Sequence, residues 1–395
     1  MNQSVSTPTQ RTEDRSAQIV DAAAVLFRQR GFVGVGIDDI GAALELSGPA
    51  VYRYFPSKQA ILAAVIGRHL TEMETARESA DADMPLQERV LRASVLTCLA
   101  DPDAHVVYLR QMGNLDPASR AELTRRQESI VAPWSSLLDP EDPGASLGLR
   151  LRASAGVLIR VALSTQSAKL PRERLATGMV RSLLGTTLPA SASVATPTDS
   201  GATAPGPLRH ASRREAILTV STQLFRERGF SGVSLRDIGD QVGVTASAVS
   251  RNFDNKEQLL AAAFNRAGEQ IAGAIATALR HADSAAEAVA DIIARYATLA
   301  IESRDLIAIY TTEMHSLPEN VRALRRRNQR MYVDELAHVI KLAVPDLSAA
   351  EAKVRAGCAY SLINEVIIND DLAQRPNLAE ELTMLATDAS GLNLR

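Results

Sequence analysis

The chain has few cysteines, few aromatic residues and no strong charge of either sign. Its two cysteines, Cys98 and Cys358, belong to neither a CxxC nor a CxxH spacing. This argues against a disulfide framework and a zinc cluster, so a reducing cytoplasm is the expected compartment. Aromatic residues make up 4% of the chain and the formal net charge is −3. Because the protein is no polycation, a nucleic-acid site would have to be a local patch.

Long apolar runs and common enzyme motifs are missing as well. The polar stretch MNQSVSTPTQRTEDR lacks the apolar core of a signal peptide, and no run approaches the roughly 18 residues of a membrane span. We therefore expect a soluble, cytoplasmic protein without membrane contact. No nucleophile elbow, phosphate-binding glycine loop or HExxH motif occurs, so we expect no enzyme and no cofactor. The histidines show no clustered spacing, and we expect no metal site.

What remains is a chain rich in Ala, Leu and Arg, in which apolar residues recur three and four positions apart. This periodicity predicts an all-α protein. A single core seldom grows beyond about 250 to 300 residues. The 395 residues therefore predict two domains.

The chain contains an internal repeat. The segment AQIVDAAAVLFRQRGF, which begins at Ala17, recurs as EAILTVSTQLFRERGF from Glu215, and the register of 198 residues holds without a gap as far as Lys58 and Lys256. A weaker likeness follows around Tyr108 and Tyr310, each ahead of a Pro-containing break and an Arg pair. Each half is therefore expected to be a whole domain.

In each copy the spacing predicts three short helices. In the first copy a helix ends at Gly31, a second begins near Ile37, and a third opens at Ser47, an N-cap residue, with Pro49 in its first turn. In the second copy Thr245 is the cap of the third helix. Three helices of this spacing form a helix-turn-helix unit, whose last helix can enter the major groove of DNA.

The residues just described carry a family resemblance. The run from the first helix through GF, the DDI or RDI triplet, the Ser or Thr cap and VYRYFPSKQAIL resembles the DNA-binding domain of TetR-type transcriptional repressors. The resemblance implies that each half is a small helical DNA reader followed by a larger helical region for ligand binding and dimerisation. The double-length arrangement is similar to tandem TetR-type regulators of actinobacteria that repress lipid-transport and lipid-metabolism operons.

Domain limits follow from the repeat and from the stretch between the copies, where Pro, Gly, Ser and Thr predict a flexible linker. About 20 such residues have a root-mean-square span of roughly 25 Å and reach about 60 to 70 Å when stretched. The predicted limits are a disordered tail at 1–14, a first helix-turn-helix domain at 15–60 (the first reader), a first regulatory domain at 61–185, a linker at 186–211, a second helix-turn-helix domain at 212–258 (the second reader) and a second regulatory domain at 259–395.

The predicted DNA contacts lie on and around the third helix of each reader, since its exposed start faces base edges while cations and hydroxyls hold phosphates. In the first reader they are Arg15, Ser47, Gly48, Pro49, Ala50, Tyr52, Arg53, Tyr54 and the phosphate-binding Lys58. In the second reader they are Arg213, Arg236, Thr245, Ala246, Ser247, Ser250, Arg251, Asn252 and the phosphate-binding Lys256.

The two readers differ, which predicts unequal half-sites on the DNA. Residues 11–60 carry six basic and six acidic residues, whereas residues 209–258 carry eight and six. Arg236 stands where the first reader has Asp38. The turn before the third helix has Gly243 in the second reader but Glu45 in the first, and a Glu at that place strains or reshapes the turn if its φ is positive.

Aromatic and Met residues of the regulatory regions are candidate effector contacts. Such residues at helical spacing usually pack in a core, and an apolar pocket between helices is the alternative. A lipid-like or CoA-linked effector rests on analogy alone. The run RALRRRNQR at 322–330 is interpreted as a solvated or ion-paired helix face. The candidate effector contacts are Tyr108, Met112, Trp134, Tyr310, Met314, Tyr332 and Tyr360.

Taken together, these patterns predict a repressor that occupies a double-stranded DNA operator and is released by a small apolar effector. Two readers one helical turn apart, roughly 34 Å, suit a half-site pair, and one chain supplies both as a pseudo-dimer on an asymmetric operator. Two chains that pair through like halves are an alternative assembly. A different class of function is a small-molecule-binding or protein-interaction module with one or both helix-turn-helix units vestigial.

Overall fold

The computed structural model describes residues 8–137, 146–189, 212–230, 232–312 and 318–392, and within these ranges no β-strand occurs, which confirms the all-α class. Up to residue 189 the helices are α1 (Pro8–Arg30), α2 (Ile37–Ala42), α3 (Gly48–Val51), α4 (Lys58–Glu78), α5 (Leu86–Ala100), α6 (Pro102–Gln111), α7 (Pro117–Val131), α8 (Leu147–Leu163) and α9 (Arg172–Gly185). From residue 212 they are α10 (Arg213–Arg228), α11 (Leu235–Val242), α12 (Ala246–Ser250), α13 (Lys256–His281), α14 (Ala285–Glu302), α15 (Arg304–Thr312), α16 (Glu319–Ala343), α17 (Ala349–Ile367) and α18 (Leu378–Ser390).

Helix boundaries follow the local signals of the sequence, and the same signals recur in both copies. Gly31 ends α1 with φ 69°, and Gly229 ends α10 with φ 73°, a backbone region that favours glycine. The Ser57 hydroxyl accepts a hydrogen bond from the Ala60 N–H at 3.1 Å at the start of α4. Asn255 caps α13 in the same way. Each cap satisfies a backbone donor that the helix itself leaves unpaired.

Each reader is held together by a small apolar core. Phe27, Ile40 and Val51 are fully buried in the first reader, and Phe225, Ile238 and Val249 occupy the matching places in a cluster of the second. Truncating one of the phenylalanines to Ala would cost about 3 to 5 kcal/mol. The phenylalanines are therefore scaffold residues, as the sequence pattern predicts.

The chain divides into two compact units whose limits differ from a simple cut at the linker. One unit contains the described residues up to 137 together with Val161–Leu163 and Pro171–Arg181; the other contains the described residues from 146 to 160, Ser164–Leu170 and the described residues from Ser182 onwards. Most of α8 thus belongs to the second unit, although it precedes the linker. The expectation of a disordered tail at 1–14 is wrong for its second half, because α1 begins at Pro8. The other predicted domain limits stay predictions. None of the helices in the described ranges is long and apolar enough to cross a membrane.

Within the second unit α8 packs closely on α17. The Ser361 hydroxyl donates to the Gly156 carbonyl at 2.8 Å, and a Cβ at Gly156 would lie 2.6 Å from the Leu362 Cα. The helices come this close because glycine has no side chain at the crossing. An ion pair between Arg152 and Glu365, with an N–O distance of 3.0 Å, extends the contact. Glu365 is 2% exposed, so its charge depends on such partners.

Candidate nucleic-acid interface and ligand cavity

The third helix of the first reader, α3, presents polar groups outward from a buried anchor. Val51 is fully buried, while Tyr52, with 54% of its surface exposed, and Arg53 face solvent. The remaining predicted contacts divide by exposure: Ser47 and Pro49 are exposed, Ala50 and Tyr54 are partly buried, and Gly48 is buried. The exposed set supplies hydroxyls, a ring and a guanidinium, which are groups that contact bases and phosphates.

The third helix of the second reader, α12, has the same arrangement with different chemistry. The Thr245 hydroxyl accepts from the Ala248 N–H at 3.3 Å and lies 3.0 Å from the Ser247 hydroxyl. Thr245, Ser247, Ser250 and Arg251 are exposed. The other two predicted contacts, Ala246 and Asn252, are partly buried, and the Asn252 amide donates to the Ala248 carbonyl. The Asn252 amide is thus partly engaged by a carbonyl of α12.

A charge difference lies beside the start of the third helix. In the first reader the Asp38 carboxylate packs against Gly48, where a Cβ would collide with it. In the second reader Arg236 projects into solvent with 84% of its side chain exposed, 3.9 Å from Asp240. An exposed arginine attracts phosphate, whereas a carboxylate repels it. The predicted inequality of the readers therefore has a local electrostatic basis.

The turn before the third helix confirms the strain expected of the first reader. Glu45 has φ 57° and is the one non-glycine residue with positive φ among the described residues; Gly243 has φ 79° at the matching place. The backbone follows the same path in both copies, since the Leu46 N–H donates to Gly41 and the Val244 N–H donates to Gly239. The first reader therefore holds a Glu in a conformation that suits glycine.

The two repeated lysines bind the protein's own backbone. The Lys58 ammonium donates to the Phe32 and Val35 carbonyls, both at 2.8 Å, and lies over the Phe32 ring. Lys256 makes the matching contacts with the second reader. Burial lowers the pKa of Lys58, although Asp39 opposes the shift. The lysines therefore hold the turn between the first two helices, and their phosphate contact remains a prediction.

Arginines near the first helix of each reader complete the surface. Arg213 is exposed, and Arg15 is partly buried with its guanidinium 2.9 Å from the Gln18 amide oxygen. Sequence reasoning missed Arg214, whose guanidinium stacks 4.2 Å from the Phe253 ring centre and donates to the Asn252 carbonyl. The Arg pair at the start of α10 was the available signal. Arg214, on the first helix of the second reader, thus stabilises the segment that follows the third helix.

Each reader is also tied to its regulatory helices by a repeated ion pair. Arg28 on α1 pairs with Asp103 on α6. Arg226 on α10 pairs with Asp305 on α15 at 2.7 Å. These pairs occupy corresponding positions in the two copies, and sequence reasoning did not find them because each partner alone is an ordinary helix-surface charge. They connect the first helix of a reader with a helix of the regulatory region.

A cavity lies between α13, α14, α15 and α16 of the second unit. Phe264, Tyr296, Tyr310, Tyr332 and Arg325 are among its lining residues. The cavity measures about 30 Å³, enough for about two waters. The Tyr310 hydroxyl donates to the Gln329 amide oxygen. Burial raises the pKa of Tyr296 to about 12.

The structure brings some of the predicted effector contacts to this cavity and not others. Tyr310 and Tyr332 line it, and the Tyr360 ring lies 4.4 Å from that of Tyr296, a lining residue. Met314 lies outside the described residues. Within the run at 322–330, the guanidinium of Arg325 faces the cavity and the Tyr310 ring, while its neighbours Arg322 and Arg326 pair with Glu319 as an ion-paired face requires.

In the first unit the predicted effector contacts lie among buried side chains. Tyr108 and Trp134 are 6% and 3% exposed, and Met112 is partly buried. The Tyr108 ring packs on a buried pair of histidines, His69 and His105, whose Nε2 and Nδ1 atoms are 3.0 Å apart. Among the residues that the structure describes, no group of three or more His, Cys, Asp and Glu could hold a metal ion.

Comparisons with known proteins point to one family. The family model described as bacterial regulatory proteins, tetR family, matches residues 19–65 and 217–263, which overlap the two readers. The chain is 31% identical over 138 residues, 34% of this chain and 67% of the relative, to an uncharacterized HTH-type transcriptional regulator of Mycobacterium tuberculosis. It is 30% identical over 129 residues, 32% of this chain and 55% of the relative, to the HTH-type transcriptional regulator EthR of Mycolicibacterium smegmatis.

A solved structure also aligns with part of the chain. It is a bacterial regulatory protein in the tetR family from Rhodococcus RHA1, 18% identical, with a TM-score of 0.39 over 45% of this chain and 97% of that one.

Proposed function

The chain belongs to the tetR family of bacterial regulatory proteins, and from this membership we propose that it represses transcription by occupying a DNA operator in the cytoplasm. In this proposal both readers come from one polypeptide, so the operator has two unequal half-sites. A small apolar effector, lipid-like or CoA-linked by analogy with the family, releases the protein from the DNA.

The exposed third helices carry the proposal of DNA binding. In both readers one apolar residue, Val51 or Val249, is fully buried and fixes the helix, while an exposed arginine follows it, Arg53 or Arg251. A buried anchor with exposed polar neighbours is what a rigid helix needs to present side chains to a groove. This arrangement occurs twice in the matched segments.

Reciprocal contacts between α8 and α17 support the single-chain assembly. Gly156 contacts Ser361, and Gly357 contacts Arg160. Gly357 lies 201 residues after Gly156, and Ser361 lies 201 residues after Arg160, so the second contact joins the equivalents of the residues in the first. An isologous interface has this form, in which residue i meets j and the equivalent of j meets the equivalent of i. The chain thus contacts itself with the pattern by which two identical chains would pair. A tether would raise the local concentration of the second half to roughly millimolar.

The second unit offers a path from effector to reader. Helix α15 supplies Leu306, Ile307 and Tyr310 to the cavity wall. The same helix carries Asp305, which holds Arg226 of the reader. An effector that displaces α15 therefore shifts α10 through this ion pair, and a changed reader position lowers the affinity for an operator of set spacing.

The test is selection of a binding site from random duplex DNA, followed by footprinting and measurement of the mass of the complex. We expect one 42.4-kDa chain to protect one asymmetric site. A palindrome held by two chains would contradict the single-chain assembly. Binding that has neither sequence preference nor salt dependence would contradict DNA recognition itself.

Single substitutions test which of the two readers contacts the DNA. Arg53→Ala and Arg251→Ala should each weaken binding, and the slope of log K against log salt should fall by about one for each phosphate contact removed. Tyr52→Ala and Ser250→Ala compare one position of the third helix at which the readers differ. Gln59→Ala, a change of an exposed residue on α4, is the matched control and should leave the slope unchanged. If neither Arg variant weakens binding, the readers do not act as proposed.

A further inference from the structure

The cavity of the second unit and the corresponding part of the first unit are filled differently. In the register set by the repeated lysines, Ala267 on α13 corresponds to His69 on α4. In the register set by the repeated tyrosines, Ile307 on α15 corresponds to His105 on α6. Ala267 and Ile307 line the cavity of the second unit. The first unit has an imidazole at both of these places.

The His69 imidazole stands where the second unit has only the methyl group of Ala267, and the His105 imidazole stands where it has the apolar side chain of Ile307. His69 is 0% exposed and His105 4%. Their ring centres are 5.0 Å apart, and that of His69 lies 5.4 Å from the Tyr108 ring centre. Nε2 of His69 and Nδ1 of His105 share one hydrogen bond. The His69 ring therefore fills the place that Ala267 leaves open in the second unit, and the bond to His105 holds it there.

The charge at the two places differs as well. Arg325 lines the cavity with its guanidinium 4.2 Å from the centre of the Tyr310 ring. None of the described residues that line this cavity is acidic. Counted from the prolines at the start of the corresponding helices, Pro117 and Pro318, the position of Arg325 is held by Thr124 in the first unit. The other lining residues are mainly apolar and aromatic, with the neutral polar side chains of Gln270, Ser303 and Asn328. A cation in such a lining suits a ligand that is largely apolar with one anionic end.

We propose that each chain binds a single effector, in the second unit, and that this effector is a small carboxylate with an apolar or aromatic body whose carboxylate pairs with Arg325. The proposal rests on the proposed function in taking the cavity as the effector site. Because the cavity is small, the effector enters by displacing side chains, and Arg325 leaves the Tyr310 ring to meet the carboxylate. Because the histidine pair fills the corresponding place, the first unit binds no effector itself and responds only to binding in the second unit.

Calorimetric titration of the full chain tests the ligand class. The probes are phenylacetate and octanoate, each paired with the alcohol of matching shape, 2-phenylethanol and 1-octanol. We expect one site per chain and an affinity for at least one acid about tenfold to hundredfold above that of its alcohol, because a hydrogen bond to a charged group is worth that much. Arg325→Gln should bring the acid to the level of the alcohol. Equal binding of acids and alcohols, or no binding of either acid, would overturn the proposal.

An exchange of the corresponding residues tests the place of the site. Ala267→His should abolish binding of the acid, while His69→Ala should leave its affinity and the stoichiometry of one unchanged. Circular dichroism shows whether each variant is folded, and Ile307→Phe fills the cavity from another helix if Ala267→His does not fold. Two sites per chain, or loss of binding in His69→Ala alone, would overturn the proposal.

Operator binding by the same variants separates this proposal from the proposed function. If the acid binds as described but the chain has no specific DNA site, the regulatory function fails and the effector site stands. If the chain binds its operator but neither acid binds in the second unit, the effector site fails and DNA recognition stands.

Discussion

The strained turn of the first reader makes a sharp prediction about stability. Glu45 has φ 57° and is exposed, so its backbone, and not its packing, is the unfavourable feature. Holding an L-residue in this region costs about 1 to 2 kcal/mol. Glycine removes that cost but gives the unfolded chain about 0.5 to 1 kcal/mol of additional entropy. Glu45→Gly should therefore raise the free energy of unfolding of the first unit by about 0.5 to 1 kcal/mol.

The single tryptophan provides the assay. Trp134 is buried in the first unit, the one that contains Glu45, so its fluorescence reports the unfolding of that unit in urea. With a slope of about 2 kcal/mol per molar urea, the midpoint should rise by about 0.3 to 0.5 M.

Two controls separate backbone strain from charge. Glu45→Ala removes the carboxylate but keeps the Cβ, so it should leave the midpoint nearly unchanged. Gly243→Ala places a Cβ at the matching φ of 79° and should destabilise the second reader, as measured by circular dichroism. Equal stabilisation by Glu45→Ala and Glu45→Gly, or a lower midpoint for Glu45→Gly, would refute the argument from φ.

Three further predictions concern contacts within the two units. Arg226→Gln breaks the pair with Asp305 and should leave effector binding intact while operator release by the effector weakens; unchanged release would show that the signal takes another path. Arg152→Ala leaves the charge of Glu365 buried and should lower the free energy of unfolding of the second unit by about 3 kcal/mol, whereas the double variant with Glu365→Gln should recover part of this loss in urea titrations. Burial lowers the pKa of His69 to about 4, below its unfolded value near 6.5; the unfolded state therefore binds more protons between these values, and stability should fall as the pH drops from about 6.5 to 4. His69→Gln should flatten that dependence, and an identical pH profile would contradict the assignment.

Much of the fold was predictable because its signals are local in the chain. Helix caps at Ser57 and Asn255, the stop at Gly31 and the turn at Glu45 all act through atoms within a few residues of one another. The repeat shows these signals twice in the same register, and this indicates one type of helical unit more strongly than a single copy would. The all-α class and the two readers follow from these patterns.

The functional surfaces were predictable in part. The exposed residues of the third helices lie where their spacing places them, and their contact with DNA remains a prediction. Lys58 illustrates the limit. Its position in the motif suits a phosphate contact, but its ammonium donates to two carbonyls of the turn between α1 and α2. Tyr310 and Tyr332 line a cavity, whereas Tyr108 packs on histidines. The sequence pattern did not distinguish these three helical tyrosines from one another.

The sequence by itself determined the helices, their caps, the duplicated reader and the inequality of the two copies, because these depend on neighbours along the chain. Only the tertiary structure decided that α8 packs on α17, that Arg226 meets Asp305, and that an imidazole pair in one unit corresponds to a cavity in the other. Contacts such as that between Gly156 and Ser361 join residues 205 positions apart. No local rule specifies such a pair, because its formation depends on how whole helices pack.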